Sequence, residues 1–161
     1  MGVSAVGKST IAALVAARLG AEWIDADALH SPASIAKMSA GIALVDDDRW
    51  DWLDRVGDAL AGAPAPPGIV VACSALRRVY RDRIRAIAPD AVFVHLTGTP
   101  ELLLARAQAR TGHFMPASLL LSQRATLEDL GADEPGFAVD VTPGVDDIVD
   151  SIVDGIRTHD G

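Results

Sequence analysis

The chain has 161 residues, 50% of them hydrophobic, and a formal net charge of −8 from 14 Lys and Arg against 22 Asp and Glu. That length supports one domain around one sizeable core, and the acidity disfavours a general nucleic-acid role, because gripping a phosphate backbone needs a basic face. No apolar run reaches the roughly 18 residues that span a bilayer, so no membrane partner is expected. The start carries no basic-then-apolar leader and the single Cys73 cannot form an internal disulfide, which together favour a reducing cytoplasm.

The first element in chain order is a loop. Gly2, Gly7, Lys8 and Ser9 complete the pattern G-x-x-x-x-G-K-[ST], whose glycines let the backbone turn its N–H groups inward around phosphates. The following helix aims its positive end at the same place, Lys8 reaches the terminal phosphates, and the Ser9 hydroxyl can ligate Mg²⁺. The expected nucleotide-binding residues are therefore Gly2, Val3, Ser4, Ala5, Val6, Gly7, Lys8, Ser9 and Thr10. Such a loop hangs from a central parallel strand of roughly five residues, yet only Met1 precedes it. Upstream residues omitted from this sequence account for that better than a fold with a defective centre, because nothing later in the chain offers a spare strand. A true terminus at Met1 predicts weak stability. Ala5 stands where such loops often carry another glycine, and a positive φ there costs about 1 kcal/mol.

Residues 8–19 have helical spacing and stop at Gly20. EWID, 22–25, reads as a short strand, and DADALH, 25–30, closes it. The carboxyl ends of parallel strands face the ligand crevice, so Asp25 and Asp27, two apart on an extended segment, share a face toward the phosphates. One acid can hold the metal or its water while the other orients and deprotonates an attacking hydroxyl. Alternatively, Asp27 simply caps a helix N-terminus. Residues 31–40 read as helix, with Pro32 early and Gly41 closing it. Residues 46–62 have acids in the first turn and apolar spacing at Trp52, Leu53, Val56 and Leu60, as an amphipathic helix should.

After a surface connection at 63–68, a buried strand is expected at 69–73, a helix at 77–88, a strand at 91–96 and a helix at 100–110. Beyond a loop around Gly112, residues 116–129 read as helix, 137–141 as the last strand and 145–156 as the closing helix. Continuous apolar strands alternating with helices imply an α/β fold whose parallel sheet is covered on both faces.

The order of these motifs resembles the gluconate kinase family, compact relatives of shikimate and nucleoside monophosphate kinases, over nearly the whole chain. The matching stretches are GVSAVGKS (2–9), DADALH (25–30), KMSAG (37–41), LVDDDRWDWL (44–53), CSALRRVYRDRIR (73–85), RTGHFM (110–115) and SQRATLE (122–128). The chain departs from that family at Ala5 and Ala26, where glycine is usual, at Ser34 (Asn), at Ala43 (Pro before Leu) and at Asp51 (Pro before Trp52). Of these, Ser34 is the one placed to touch a sugar acid.

The resemblance implies a P-loop kinase three-layer sandwich with a five-stranded parallel sheet, its first strand missing or truncated in this sequence. It implies a single domain over residues 1–161 with a lid around 106–125, and transfer of the ATP γ-phosphoryl group to the 6-hydroxyl of D-gluconate with Mg²⁺. A polyol acid needs a cation for its carboxylate, hydrogen-bonding groups along its chain and a base at the far hydroxyl. Arg49 and Arg81 are the candidates for the carboxylate and the transferred phosphate, and His30 and Ser74 for hydroxyls. Asp27 is then the base, Asp25 the metal-side acid, Ser9 the Mg²⁺ ligand and Lys8 the charge that stabilises the transferring group.

Arg106 and Arg110, four apart on one helix face, can reach the nucleotide base and phosphates as the lid closes, and His113 can contact substrate. Plainer roles stand beside these. Arg49 can pair with Asp46 or Asp47, the arginines from Arg77 to Arg85 can form a solvated face, His30 can cap a turn, and Cys73 can be a packed strand residue. A homodimer is the family expectation. Two other functions remain open, a kinase for another small hydroxy acid and a nucleotide-binding module without catalysis; only a catalyst has a use for Asp27.

Overall fold

The computed structural model describes residues 1–109 and 117–159 of the chain. Helix α1, Lys8–Leu19, ends where Gly20 adopts φ 70° and its N–H turns back to the Ala16 and Ala17 carbonyls. Strand β1, Glu22–Asp25, runs into a 3₁₀ turn at Ala26–Leu29, and α2, Pro32–Ser39, begins where the Ser31 hydroxyl accepts the Ser34 N–H. The helix expected over 46–62 divides into a 3₁₀ turn at Asp46–Asp48 and α3, Trp50–Gly62. The cause is Asp48, whose carboxylate folds back on the Val45 N–H at 3.1 Å and pairs with Lys37, so this acid caps the turn before the helix proper starts.

The remaining elements are β2, Ile69–Ala72; α4, Arg78–Ile87; β3, Phe93–Thr97; α5, Pro100–Ala109; α6, Ala117–Thr126; β4, Gly136–Asp140; and α7, Val145–His159. The expected helix over 116–129 stops at Thr126 because the chain then turns to β2's end, where the Glu128 N–H donates to the Leu76 carbonyl at 2.8 Å.

The strands pair in parallel as β1 with β2 and β3 with β4, so the described residues hold two pairs where a single five-stranded sheet was expected. Met1 and Gly2 carry the backbone bonds between the pairs: the Leu96 N–H donates to the Met1 carbonyl at 3.0 Å and the Gly2 N–H to the Ser74 carbonyl at 3.2 Å. Helices cover both faces. Ile11 and Val15 of α1 pack with Leu96, Val139 and Ile148, Val149, Ile152 and Val153 of α7 in one core. On the other side Trp52, Leu53 and Val56 of α3 pack with Tyr80 and Ile84 of α4 and with Phe93. The apolar spacing read from the sequence thus buries one stripe of each helix against the strands.

The phosphate loop lies between these layers, with Val3 and Val6 buried in the first core. Gly2 has φ 138°, and a Cβ there would stand 2.8 Å from the Leu96 carbonyl oxygen, so only glycine permits this approach to β3. Ala5 adopts φ 66°, the strained conformation anticipated for it. Ala5→Gly should therefore raise the unfolding free energy by about 0.5–1 kcal/mol, read as a shifted urea midpoint at constant slope. A lowered midpoint would mean that the buried methyl contributes more than the left-handed backbone costs.

Candidate functional site

The site grows from the junction of α1 and β1. Gly7, left-handed at φ 102°, precedes α1 and offers no side-chain cap, so the first amides of the helix face outward for a ligand. Lys8 folds over the loop, its Nζ donating to the Val3 carbonyl at 2.9 Å. Ser9 Oγ donates to Asp25 Oδ2 at 2.6 Å, and Asp25 Oδ1 accepts the Asp27 N–H at 3.1 Å. One carboxylate therefore ties the loop to the turn after β1. The expected reason for pairing Asp25 with Asp27 was an extended segment; Asp27 instead lies exposed in the 3₁₀ turn that Asp25 caps.

A hydroxyl and a carboxylate side by side are hard oxygen donors that suit Mg²⁺, an ion that keeps waters and shares phosphate oxygens and needs no full protein cage. Among the described residues no group of three or more His, Cys, Asp and Glu gathers around a metal position. The Ser9 and Asp25 pair fits an ion held jointly with a nucleotide.

His30 forms the next wall. Its ring is 8% exposed and stacks on Trp52 at 4.5 Å and 9°, while Trp52 Nε1 donates to the Ala26 carbonyl at 2.6 Å. Burial pushes the imidazole pKa below its ordinary value near 6.5, which keeps the ring neutral. Among the described residues its Nδ1 has no hydrogen-bond partner. A buried ring nitrogen left open is suited to a substrate hydroxyl.

Arg49 does not take the plainer role of pairing along its own helix. Asp46 accepts from the Tyr80 hydroxyl and from Arg77 Nη1, the latter at 2.6 Å, and Asp47 accepts from Trp50 Nε1 at 3.3 Å. The Arg49 guanidinium donates to the Leu44 carbonyl at 3.3 Å and sits 5.9 Å over the Tyr80 ring, whose centroid Arg77 approaches to 5.3 Å. Arg49 has no carboxylate partner among the described residues, leaving a cation beside His30 for an anionic group. Tyr80 was unremarked in the sequence beyond its place in the family motif; its spacing three residues after Arg77 was the available signal.

Arg81 requires a correction. Expected to face substrate, its side chain is 0% exposed and makes a two-point ion pair with Glu134, at 2.6 and 2.9 Å, while donating to the Ala75, Leu76, Glu128 and Asp129 carbonyls. Every donor direction is used inside the protein, so Arg81 is an anchor of the fold. Ser34 is likewise spent. Buried at the start of α2, its N–H goes to Ser31 Oγ at 3.1 Å and its hydroxyl to the Asp48 carbonyl at 3.4 Å.

Ser74 stands just past β2, half-buried, with its carbonyl bonded to the Gly2 N–H. Arg106 lies at the loop, donating to the Val141 carbonyl at 2.9 Å and the Val6 carbonyl at 3.4 Å. Arg110 and His113 lie outside the described residues. Arg78 and Arg83 form exposed two-point pairs with Asp133 and Asp54, which fits the solvated face. Burial pushes the Cys73 thiol up to about 11, so it is a packing residue.

Sequence reasoning missed Gln123, whose Oε1 accepts the Ser4 N–H at 2.7 Å and so occupies an amide of the phosphate loop from α6. Its place in SQRATLE was the only signal.

A family model described as shikimate kinase matches residues 4–129. The chain is 44% identical over 161 residues to a gluconokinase of Gluconobacter oxydans strain 621H, covering 99% of this chain and 90% of that protein. It is 48% identical over 136 residues to the thermosensitive gluconokinase of Escherichia coli K12, covering 83% and 72% of the two. The crystal structure of a gluconokinase from Sinorhizobium meliloti 1021 matches with a TM-score of 0.87 at 46% identity, covering 98% of this chain and 89% of that one. With its phosphate loop, its acid pair and its helices on both faces of parallel strands, the chain belongs to the gluconokinase family of α/β P-loop kinases.

Proposed function

We propose that the protein transfers the γ-phosphoryl group of ATP to the 6-hydroxyl of D-gluconate, giving 6-phospho-D-gluconate and ADP. The observation that carries this reading is the Ser9–Asp25–Asp27 chain, which ties an exposed carboxylate to the phosphate loop. Asp27 takes the proton of the attacking hydroxyl as the new oxygen–phosphorus bond forms and the bond to the ADP oxygen breaks. Lys8 and the loop amides bind the phosphates where negative charge gathers. Ser9, with Asp25 beside it, would hold a Mg²⁺ ion shared with the nucleotide, which would supply further positive charge there. Arg49 takes the gluconate carboxylate, and His30 and Ser74 take hydroxyls along the chain. Arg106 supports the nucleotide side, with Arg110 and His113 assigned to nucleotide and substrate by the family resemblance alone.

The same reading gives one domain over 1–161, a sheet of five strands whose fifth place lies between β2 and β3, and a cytoplasmic homodimer. The product suits the pentose phosphate or Entner–Doudoroff routes. The test is ADP release with D-gluconate, shikimate, other aldonates and no acceptor in parallel. Turnover with gluconate alone is expected. ATP binding without turnover on any acceptor would turn the reading into a binding module, and turnover only on another acid would move the substrate. Hydrogen bonds to charged groups contribute about 1.5–3 kcal/mol, so Arg49→Ala should raise the gluconate KM by roughly 10- to 100-fold. The ATP KM should stay within about twofold in the same assay; the reverse pattern would assign Arg49 to the nucleotide.

A further inference from the structure

Gln123 joins α6 to the phosphate loop through a contact that phosphoryl transfer does not use. Its Oε1 accepts the Ser4 N–H at 2.7 Å, across 119 positions of chain. Ser4 belongs to the stretch of loop whose backbone N–H groups turn toward phosphates. A carboxamide oxygen and a phosphate oxygen are both acceptors for such an amide, and one N–H directed at the first is withheld from the second.

The loop does not depend on this bond for its shape. Val3, Ala5 and Val6 are buried in one core, Gly2 and Ala5 hold the positive φ values of the motif, and Lys8 Nζ donates back to the Val3 carbonyl. Nor does α6 depend on it. Leu120 is buried in the same core and Leu127 packs against it, with Gln123 three residues after the one and four before the other on the same face. Directly after the helix the chain is fastened. The Glu128 N–H donates to the Leu76 carbonyl at 2.8 Å, Glu128 Oε2 accepts the Arg78 N–H at 2.6 Å, and Arg81 donates to the Glu128 and Asp129 carbonyls. A half-buried carboxamide on an otherwise apolar stripe needs a polar partner, and the partner here is an amide that a nucleotide also claims.

We infer that Gln123 is a displaceable stand-in for a phosphate oxygen: it satisfies the Ser4 N–H in the nucleotide-free protein, and a nucleotide phosphate breaks that bond in order to bind. This role rests on the nucleotide-binding reading of the loop and adds an intramolecular competitor to it. A bond from an amide to a charged phosphate is stronger than the neutral bond it replaces, so the exchange runs forward on binding. By linkage, whatever frees Ser4 from Gln123 raises nucleotide affinity, and nucleotide in turn frees α6 from the loop.

The test titrates a non-hydrolysable ATP analogue with Mg²⁺ into wild type, Gln123→Leu, Gln123→Ala and Gln123→Glu, with calorimetry as the readout. Leucine suits the apolar stripe and cannot accept a hydrogen bond, so affinity should rise by about 3- to 10-fold, the worth of one neutral bond. Alanine removes the acceptor without adding apolar bulk and should act in the same direction, which keeps the test decisive if leucine disturbs the helix. Glutamate holds the Ser4 N–H more firmly and repels phosphates, so affinity should fall by about 10-fold or more. A side chain that merely braced the helix would not give effects of opposite sign. Leucine and alanine variants that bind the analogue no better than wild type, or a glutamate variant that binds it equally well, would overturn the inference. Gluconate turnover by wild type is followed alongside. Opposite shifts in affinity without turnover would sink the kinase reading and leave the competitor standing, and turnover with equal affinities would do the reverse. Binding by none of the four proteins would overturn both.

Discussion

Arg81→Met should lower the unfolding free energy by about 3–5 kcal/mol, the usual consequence of removing one partner from a buried ion pair. Methionine fills the space of the arginine stem, so the loss comes from Glu134, left as an uncompensated carboxylate, and from four carbonyls. Those of Ala75, Leu76, Glu128 and Asp129 each receive an Arg81 N–H between 3.0 and 3.4 Å. Adding Glu134→Leu should recover only part of the deficit, since the carbonyls stay unpaired and the Gly131 N–H, which donates to Glu134 at 2.8 Å, loses its acceptor. Urea unfolding of the three proteins separates the terms.

Acid sharpens the test. The Arg81 guanidinium holds the Glu134 carboxyl below its ordinary value of 4.5, so the pair's contribution is full above that value and is lost as the pH falls toward the folded-state pKa. The gap between wild type and Arg81→Met should therefore narrow below pH 4.5. A deficit under about 1 kcal/mol at neutral pH would mean that Arg81 is free to exchange partners, and would return it to the substrate cations.

Arg81 also illustrates what the sequence can and cannot carry. Tyr80, Arg81 and Ile84 are the buried positions of α4, and a charge on an apolar stripe is visible in the spacing as something that must be neutralised. Whether the neutralising carboxylate belongs to substrate or to residue 134, 53 positions away, is not a local property. The same limit explains Gln123, which meets Ser4 across 119 positions, and the turn at Asp46–Asp48, set by Asp48 reaching back to Val45 and to Lys37, 11 positions away.

By contrast, α1 and β1 have the bounds expected, Lys8–Leu19 and Glu22–Asp25, because Gly20 and the change of period act within one turn. The phosphate loop was legible for the same reason: its glycines, lysine and serine are contiguous, and the strain at Ala5 comes from a backbone shape that the motif itself dictates. Four strands were found close to their expected places, yet their division into the pairs β1 with β2 and β3 with β4 is a long-range pairing that spacing along the chain does not reveal.

Asp27→Asn should reduce gluconate turnover by about 10²- to 10⁴-fold, the range that a positioned general base contributes. The substitution isolates chemistry from folding for a structural reason. The bond that shapes the turn after β1 runs from the Asp27 backbone N–H to Asp25 Oδ1, and asparagine keeps that N–H along with the side chain's volume. Asp25 remains bonded to Ser9, so the phosphate loop and its tie to the turn after β1 are untouched. ATP affinity, measured by nucleotide titration, should stay within about twofold, and kcat should fall with little change in KM. Asp25→Asn is the contrasting variant. It weakens both the Ser9 bond and the cap of the turn, so it should lower nucleotide affinity and stability along with turnover. If Asp27→Asn turned over gluconate at the wild-type rate, proton removal would belong elsewhere and Asp27 would be left as the residue whose amide closes a turn. If both variants lost ATP binding alike, the acid pair would serve the nucleotide alone, and the module without catalysis would gain the stronger claim.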